Sequence, residues 1–153
     1  KKYQIIHAYG RDCKWFPDLL KEKGCNIEEC DNLDIREFIN DMPVCLAAAD
    51  LVICRAGAMT ISELQAQGKP AVLIPSPNVA ENHQYHNAMS LVNANAARII
   101  EEKDLTPEKL TETVDEMVKD PQRLNEYAEN AKKTAILDSN ERILSIIKKF
   151  VKL

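Results

Sequence analysis

The sequence around Gly57 has the composition of an anion-binding turn between a strand and a helix. An aliphatic run ends at Cys54, small residues follow at positions 56 to 58, and a helical pattern begins soon after them. The free N–H groups of a helix's first turn, together with the helix dipole, favour an anion such as a pyrophosphate. In an open parallel sheet, ligands bind beyond the carboxyl ends of the strands. We therefore expect an anion site at this turn.

Glu63 follows this turn inside the helix, and its position has two interpretations. Its carboxylate can accept hydrogen bonds from a pair of ribose hydroxyls beside the diphosphate, as acids do in other nucleotide sites. The segment from Thr60 to Glu63 also has the spacing of a capping box, in which Thr60 caps the helix and Glu63 bonds back to it. The spacing alone leaves both interpretations open.

A second polar group lies about twenty residues further on, after a proline-rich loop. Tyr85 and the apolar residues at 88, 89 and 92 predict the core-facing side of a helix. The polar side chains predicted on the other side suit the hydroxyls of a sugar, although the pattern alone favours an ordinary exposed face with an Asn82 cap. These side chains are His83, Gln84 and Asn87. Zinc binding by His83 and His86 is disfavoured, because their spacing is poor and no further ligand completes a site.

Composition excludes several classes of protein. The net charge is −4, and 29% of the 153 residues are charged. No basic block suggests nucleic-acid binding, and the apolar runs are too short to span a bilayer. The five cysteines form no Cys-x-x-Cys pair, which favours reduced structural thiols in a cytosolic protein.

Strand and helix patterns alternate along the first two thirds of the chain. Buried strands are predicted at 3–7, 50–54, 70–74 and 97–100, with a weaker extended segment at 26–30. The second and third are nearly continuous aliphatic runs, as in strands covered on both faces of a parallel sheet. Helices are predicted at 15–23, 42–49, 60–67 and 82–93, and glycines stand at the junctions. The last third is helical, with starts predicted near Thr106, Pro121 and Asp138. This pattern predicts an α/β fold with a parallel sheet flanked by helices.

Several separate motifs, with their spacing kept over nearly the whole chain, resemble the C-terminal domain of the MurG family, in glycosyltransferase family 28. The matching segments are residues 38–42, 49–63 and 68–70, then Pro75, residues 82–84, and residues 87–88. The resemblance implies a Rossmann-like domain that forms one half of a GT-B fold. It also implies a donor substrate, UDP-N-acetylglucosamine (UDP-GlcNAc), and transfer of its sugar to lipid I, forming lipid II for peptidoglycan.

The resemblance assigns the donor-site residues one by one. It implies that Glu63 binds the ribose hydroxyls, and that the backbone at Ile39 contacts the uracil edge with Met42 beside it. The turn that faces the diphosphate corresponds to Gly57, Ala58, Met59 and Thr60. The residues expected toward the GlcNAc are His83, Gln84 and Asn87. Family members often have Gln at position 83 and Ser at position 56, so the contact made by His83 is open.

The segment of the family that binds the acceptor has no counterpart here. The chain opens directly into an apolar run without an initiator Met, so we expect a single domain over residues 1–153 cut from a longer, two-domain enzyme. The Gly-Gly-Ser loop that helps bind the phosphates and the candidate catalytic base belong to the absent part, so no catalytic residue is assigned. By itself this chain is expected to be inactive.

The expected reaction is an inverting transfer in which UDP leaves. No Asp-x-Asp motif occurs, so no metal or other cofactor is expected, and the helix dipole takes the cation's place. The full-length protein is expected to be cytoplasmic. Its missing half would bind lipid I and make a peripheral contact with the inner face of the cell membrane. Two other functions stay open: a short donor subunit of the exopolysaccharide type with a separate membrane partner, and a non-catalytic nucleotide-sugar-binding module.

Overall fold

The computed structural model describes residues 3–151, so residues 1, 2, 152 and 153 of the predicted domain lie outside the described part. The chain divides into two compact units, Lys1–Ala48 and Ala49–Leu153. The elements of the first unit are β1 (Ile5–Ala8), α1 (Phe16–Glu22), β2 (Leu33–Arg36) and α2 (Met42–Ala48).

The first unit contains a parallel pair of strands, in which Ile5 of β1 lies opposite Leu33 of β2. The prediction of a buried strand at 3–7 is half right. A strand forms there, but its side chains are exposed, with Ile5 and Ile6 each more than two fifths accessible. A sheet of two strands with two short helices has too few elements to cover both faces, which explains the exposure.

The weak strand expected at 26–30 is wrong. Residues Ile27–Glu29 form a 3-10 turn instead, and the strand is β2, which begins at Leu33. The Asn26 side chain donates to Glu29 Oε1 at 2.7 Å, and the Glu29 N–H donates to the Asn26 carbonyl at 3.1 Å. Asn favours such local bonds over the hydrogen bonds between strands, so a turn forms at this position.

The second unit is a parallel sheet with helices. Its elements are β3 (Val52–Cys54), α3 (Ala58–Gln67), β4 (Ala71–Leu73), α4 (His83–Asn93), β5 (Ala97–Ile99), α5 (Pro107–Val118), α6 (Pro121–Lys133) and α7 (Ser139–Phe150). The strands lie in the order β3-β4-β5, all parallel. The predicted α/β class with parallel strands and a helical last third is therefore confirmed.

Strand β4 is the centre of this unit. All three of its residues are fully buried, and Val72 packs in a core cluster with Ile100, Met117 and Tyr127. Burial on both faces is confirmed for β4 but not for β3, where Ile53 is 47% exposed. Strand β3 is at the edge of this sheet, and an edge strand is covered less completely than a central one.

The predicted starts of the last helices are confirmed. Thr106 Oγ1 accepts the Lys109 N–H at 3.1 Å, and Asp120 Oδ1 accepts the N–H groups of Gln122 and Arg123. A proline at the first position follows each cap. Helix α7 has an apolar face that is exposed in the structure, formed by Ile143, Ile146, Ile147 and Phe150. Among residues 3–151, no helix has both the length and the apolar composition needed to cross a membrane.

Gly68 ends α3 in the left-handed conformation, with φ of 63°. A Cβ atom there would lie 2.5 Å from Cγ of the Lys132 side chain. We expect Gly68→Ala to lower the free energy of unfolding by about 2 kcal/mol, about half from the backbone strain and half from the crowding. Urea denaturation followed by circular dichroism measures this loss.

The control is the same substitution in a Lys132→Ala background. There the crowding is gone, and the cost of Gly68→Ala should fall to about 1 kcal/mol, the strain alone. An equal cost in both backgrounds would show that Lys132 does not restrict this position.

Candidate functional site

The amino end of α3 is a helix terminus without a side-chain cap. The chain leaves β3 at Cys54, and Gly57 takes the N-cap position in an extended conformation, with no side-chain capping bond. The first helical bond runs from the Ile61 N–H to the Gly57 carbonyl at 2.9 Å. The N–H groups of residues 58 to 60 precede that bond and have no acceptor within the helix. This arrangement suits a bound anion.

The capping-box interpretation of Glu63 is wrong. Since α3 begins at Ala58, Thr60 lies inside the first turn and is not its N-cap. The helix starts two residues earlier than the sequence pattern predicted, because Gly57 adopts the extended cap conformation itself. Glu63 lies on the exposed side of α3, while Ile61 and Leu64 fill the buried side. Its carboxylate is therefore accessible to a ligand.

The loop before α3 is fixed by a residue of α4. Ala56 is fully buried, and its carbonyl accepts a hydrogen bond from Asn87 Nδ2 at 3.1 Å. The bond connects the helix predicted to face the sugar with the turn predicted to face the diphosphate. Asn87 therefore has a structural contact in addition to its predicted place in the site, and its Oδ1 atom is not used by that contact.

The other two predicted sugar-facing side chains also bond to backbone groups. Gln84 Oε1 accepts the Ser76 N–H at 2.9 Å, which ties α4 to the proline-rich loop. His83 Nδ1 lies 2.9 Å from the Ala80 carbonyl, within its own turn. Asn82 stands at the N-cap of α4 without a side-chain capping bond and with a left-handed backbone.

The predicted faces of α4 need a correction. Ala88 and Leu91 are its fully buried residues, and Gln84 and Asn87 are half-buried on the same stripe. The spacings from 84 to 87, 88 and 91 are those of one helix face. Gln84 and Asn87 therefore do not lie opposite the core, as the sequence suggested, but at its margin, where they reach backbone groups of two loops.

Arg55 is a residue of this region that sequence reasoning missed. Its guanidinium forms an ion pair with Glu102, and Nη1 also lies 3.3 Å from the Ile74 carbonyl. These contacts join the segments that follow β3, β4 and β5. A pair separated by 47 positions leaves no local signal in the sequence. Arg55 is thus committed to neighbouring loops in this structure.

The thiol of Cys54, which lies just before this turn, is neutral. Burial raises the pKa of Cys54 to about 11, so it carries no charge near neutral pH. A neutral, desolvated thiol is a poor nucleophile. Cys54 therefore serves packing and not chemistry.

A cavity of about 330 Å³ lies at the loops that follow β4 and β5. Its lining comprises Pro75, Pro77, Asn82, Tyr85, Glu101, Glu102 and Lys103. Its acidic side chains are paired, Glu101 with Lys103 at 3.2 Å and Glu102 with Arg55. Because the two carboxylates already neutralise their partner cations, the cavity has no excess positive charge to attract a diphosphate. The amino end of α3 is the better anion site.

Two of the predicted contacts lie in the first unit. Ile39 is half-buried and Met42, the first residue of α2, is 39% exposed. Arg36 pairs with Asp34 at 2.6 Å and with Asp41 at 2.7 Å, which fixes the segment between β2 and α2. The other eight predicted residues belong to the second unit. In the part of the chain that the structure describes, no group of three or more side chains could bind a metal ion.

A family model and individual relatives match this chain. The model of the glycosyltransferase family 28 C-terminal domain matches residues 1–143. A protein of Acetivibrio thermocellus is 49% identical over 150 residues, and one of Bacillus cytotoxicus is 39% identical over 153 residues. Both are named UDP-N-acetylglucosamine--N-acetylmuramyl-(pentapeptide) pyrophosphoryl-undecaprenol N-acetylglucosamine transferase. The matches cover 98% and 99% of this chain, which spans 40% and 41% of those proteins.

Solved structures agree with these relatives. The crystal structure of Acinetobacter baumannii MurG superposes with a TM-score of 0.78 at 31% identity, covering 95% of this chain and 42% of that one. A glycosyltransferase of kitacinnamycin, at 24% identity and a TM-score of 0.67, covers 94% of this chain and 34% of its own, and supports the fold alone. The resemblance found in the sequence, and the half of a GT-B fold that it implied, are confirmed.

Proposed function

The chain belongs to the glycosyltransferase family 28 C-terminal domains, and on that premise we propose that it is the UDP-GlcNAc-binding half of an inverting N-acetylglucosaminyltransferase. The observation that carries the proposal is the uncapped amino end of α3. It presents free N–H groups at the carboxyl end of β3, with the Glu63 carboxylate one turn further on and accessible. An anion site beside a hydroxyl-binding acid is what a nucleoside diphosphate requires.

The proposed donor contacts are those that the family resemblance implies. The amides of residues 58 to 60 bind the diphosphate, with Gly57 allowing close approach. Glu63 accepts from the ribose hydroxyls, while Ile39 and Met42 contact the uracil. His83, Gln84 and Asn87 face the sugar. Since Gln84 Oε1 accepts the Ser76 N–H, its Nε2 group is the proposed donor to the sugar.

In the proposed reaction, a sugar hydroxyl of the acceptor attacks the anomeric carbon of GlcNAc, its proton passes to a base outside this chain, and UDP leaves. Negative charge grows on the β-phosphate as the bond to the sugar breaks. In this proposal the N–H groups at the start of α3 bind the β-phosphate. Because its negative charge grows as the bond breaks, these fixed donors stabilise the transition state more than the ground state.

The activity of the whole protein is a further part of the proposal. The relatives' shared name describes transfer to a pyrophosphoryl-undecaprenol acceptor, which corresponds to forming lipid II from lipid I. We propose the same acceptor here, bound by a part of the protein outside this chain. That part would supply the catalytic base and the peripheral contact with the cytoplasmic face of the membrane.

Backbone amide NMR of the isolated chain tests the donor site directly. Adding UDP-GlcNAc should shift the amide signals of residues 58 to 60 and 63, with a dissociation constant of about a millimolar, because half of the cleft is open to water. UDP alone should give the same shifts but leave the signals of His83 and Gln84 nearly unchanged. The transfer reaction itself should be undetectable with this chain.

The specificity control is GDP-mannose, which has the same diphosphate but a different base and sugar. It should shift the signals of residues 58 to 60 without those of Ile39 and Met42. The proposal would be wrong if UDP-GlcNAc at saturating concentration left the α3 amides unperturbed, or if both sugar nucleotides gave one identical pattern.

A further inference from the structure

Two cysteines of the first unit lie side by side. The Sγ atoms of Cys25 and Cys30 are 4.0 Å apart, the distance of a thiol–thiol hydrogen bond. Both are free thiols and half-buried, so a small reagent can reach them. The pair lies outside every segment proposed above for donor binding, and it stands independently of that proposal.

Backbone bonds fix both cysteines in place. The Cys25 N–H donates to the Leu20 carbonyl at 2.9 Å, at the end of α1. The Cys30 N–H donates to the Ile27 carbonyl at 3.1 Å, and its carbonyl accepts the Leu33 N–H at 3.0 Å, where β2 begins. The bond between the side chains of Asn26 and Glu29 closes the turn that separates the two cysteines. The entropy of bringing the two thiols together has therefore already been lost on folding.

We propose that Cys25 and Cys30 form a modification site, a reversible intramolecular disulfide made by exchange with a small organic disulfide. One cysteine thiolate attacks the reagent, forming a mixed disulfide and releasing one reagent thiol. The second cysteine thiolate then attacks the bound sulfur and releases the other reagent thiol. The two cysteines together lose two electrons and two protons, which the reagent disulfide gains.

The movement needed is small. A disulfide has an S–S length of about 2.05 Å, so the sulfurs must approach by about 2 Å, which is within the reach of side-chain rotation. Desolvation and the hydrogen bond with Cys30 raise the pKa of Cys25, so exchange is slow near neutral pH. The product ties the end of α1 covalently to the start of β2 through a ring of six residues.

The test treats the purified chain with oxidised glutathione at mildly alkaline pH, followed by acid quenching and peptide mass analysis. Glu28 and Glu29 lie between the cysteines, so cleavage after glutamate separates them into two peptides. A linked pair then appears as one species, lighter than the sum of its peptides by two hydrogen atoms. We expect this species to exceed the mixed disulfide at Cys25 by at least about tenfold.

The matched variant is Cys30→Ser, with Cys54→Ser as a control that leaves the pair intact. Cys30→Ser should keep glutathione on Cys25, since no second thiol displaces it, and Cys54→Ser should behave as the unmodified chain. Far-UV circular dichroism shows that each variant is folded. The proposal is overturned if the unmodified chain also retains glutathione on Cys25, or if Cys25 links mainly to another cysteine.

Discussion

Glu63→Ala is expected to weaken UDP binding by about a hundredfold in the full-length protein of which this chain is proposed to form the C-terminal part. The substitution removes the exposed carboxylate on α3 and with it two proposed charge-assisted hydrogen bonds to the ribose, each worth about 1.5 kcal/mol. Removing its charge also relieves some repulsion with the diphosphate, but that effect is smaller because water screens the charge of an exposed carboxylate. Calorimetric titration with UDP measures the change.

A ligand without ribose hydroxyls separates this effect from a general loss of structure. 2′,3′-Dideoxy-UDP should bind the unmodified protein about a hundredfold more weakly than UDP does, and Glu63→Ala should bind both ligands almost equally. Glu112→Gln, which removes an exposed carboxylate on α5, is the control and should leave UDP affinity unchanged. If hydroxyl removal costs the same affinity in Glu63→Ala, the ribose assignment is wrong.

Leu64→Ala is expected to lower the free energy of unfolding by about 3 kcal/mol. Leu64 is fully buried on α3, and α3 packs against α4 and α6. The substitution removes apolar contacts and leaves a cavity beneath α3, whose amino end forms the proposed anion site. Urea denaturation followed by far-UV circular dichroism gives the loss.

The matched control is Leu144→Ala on α7. Leu144 is 47% exposed, so its removal should cost less than about 1 kcal/mol. Equal losses for the two variants would contradict the packing described for α3. NMR spectra of Leu64→Ala should also show altered amide signals at residues 58 to 60, because the helix start then rests on a cavity.

The features predicted well from sequence are those with a local cause. Strand β4 is a short aliphatic run bounded by turn residues, and full burial of all its residues requires such a run. The starts of α5 and α6 follow from Thr106 and Asp120, each before a proline, because cap and proline act within one turn. Gly68 likewise marks the end of α3, where the backbone is left-handed.

Apart from the turn at Asn26 and the start of α3, which have local causes, the features that failed depend on distant partners. The exposure of β1 depends on which elements cover it, and no local pattern specifies that. The ion pair of Arg55 with Glu102 and the bond from Asn87 to Ala56 join segments 47 and 31 positions apart. The roles of the donor-site residues remain predictions, because they came from the family resemblance and concern a ligand.

The backbone contacts of α4 have a consequence for how donor preference can diverge during evolution. Gln84 and Asn87 each bond to the backbone of a loop. If they also bind the sugar, as proposed, selection for folding and selection for the sugar act on the same side chains. His83 is exposed, and its Nδ1 atom bonds within its own turn. Of the three positions, 83 is therefore the one where folding constrains substitution least. In lineages that adopt a new sugar, replacement at position 83 should precede any change at 84 or 87.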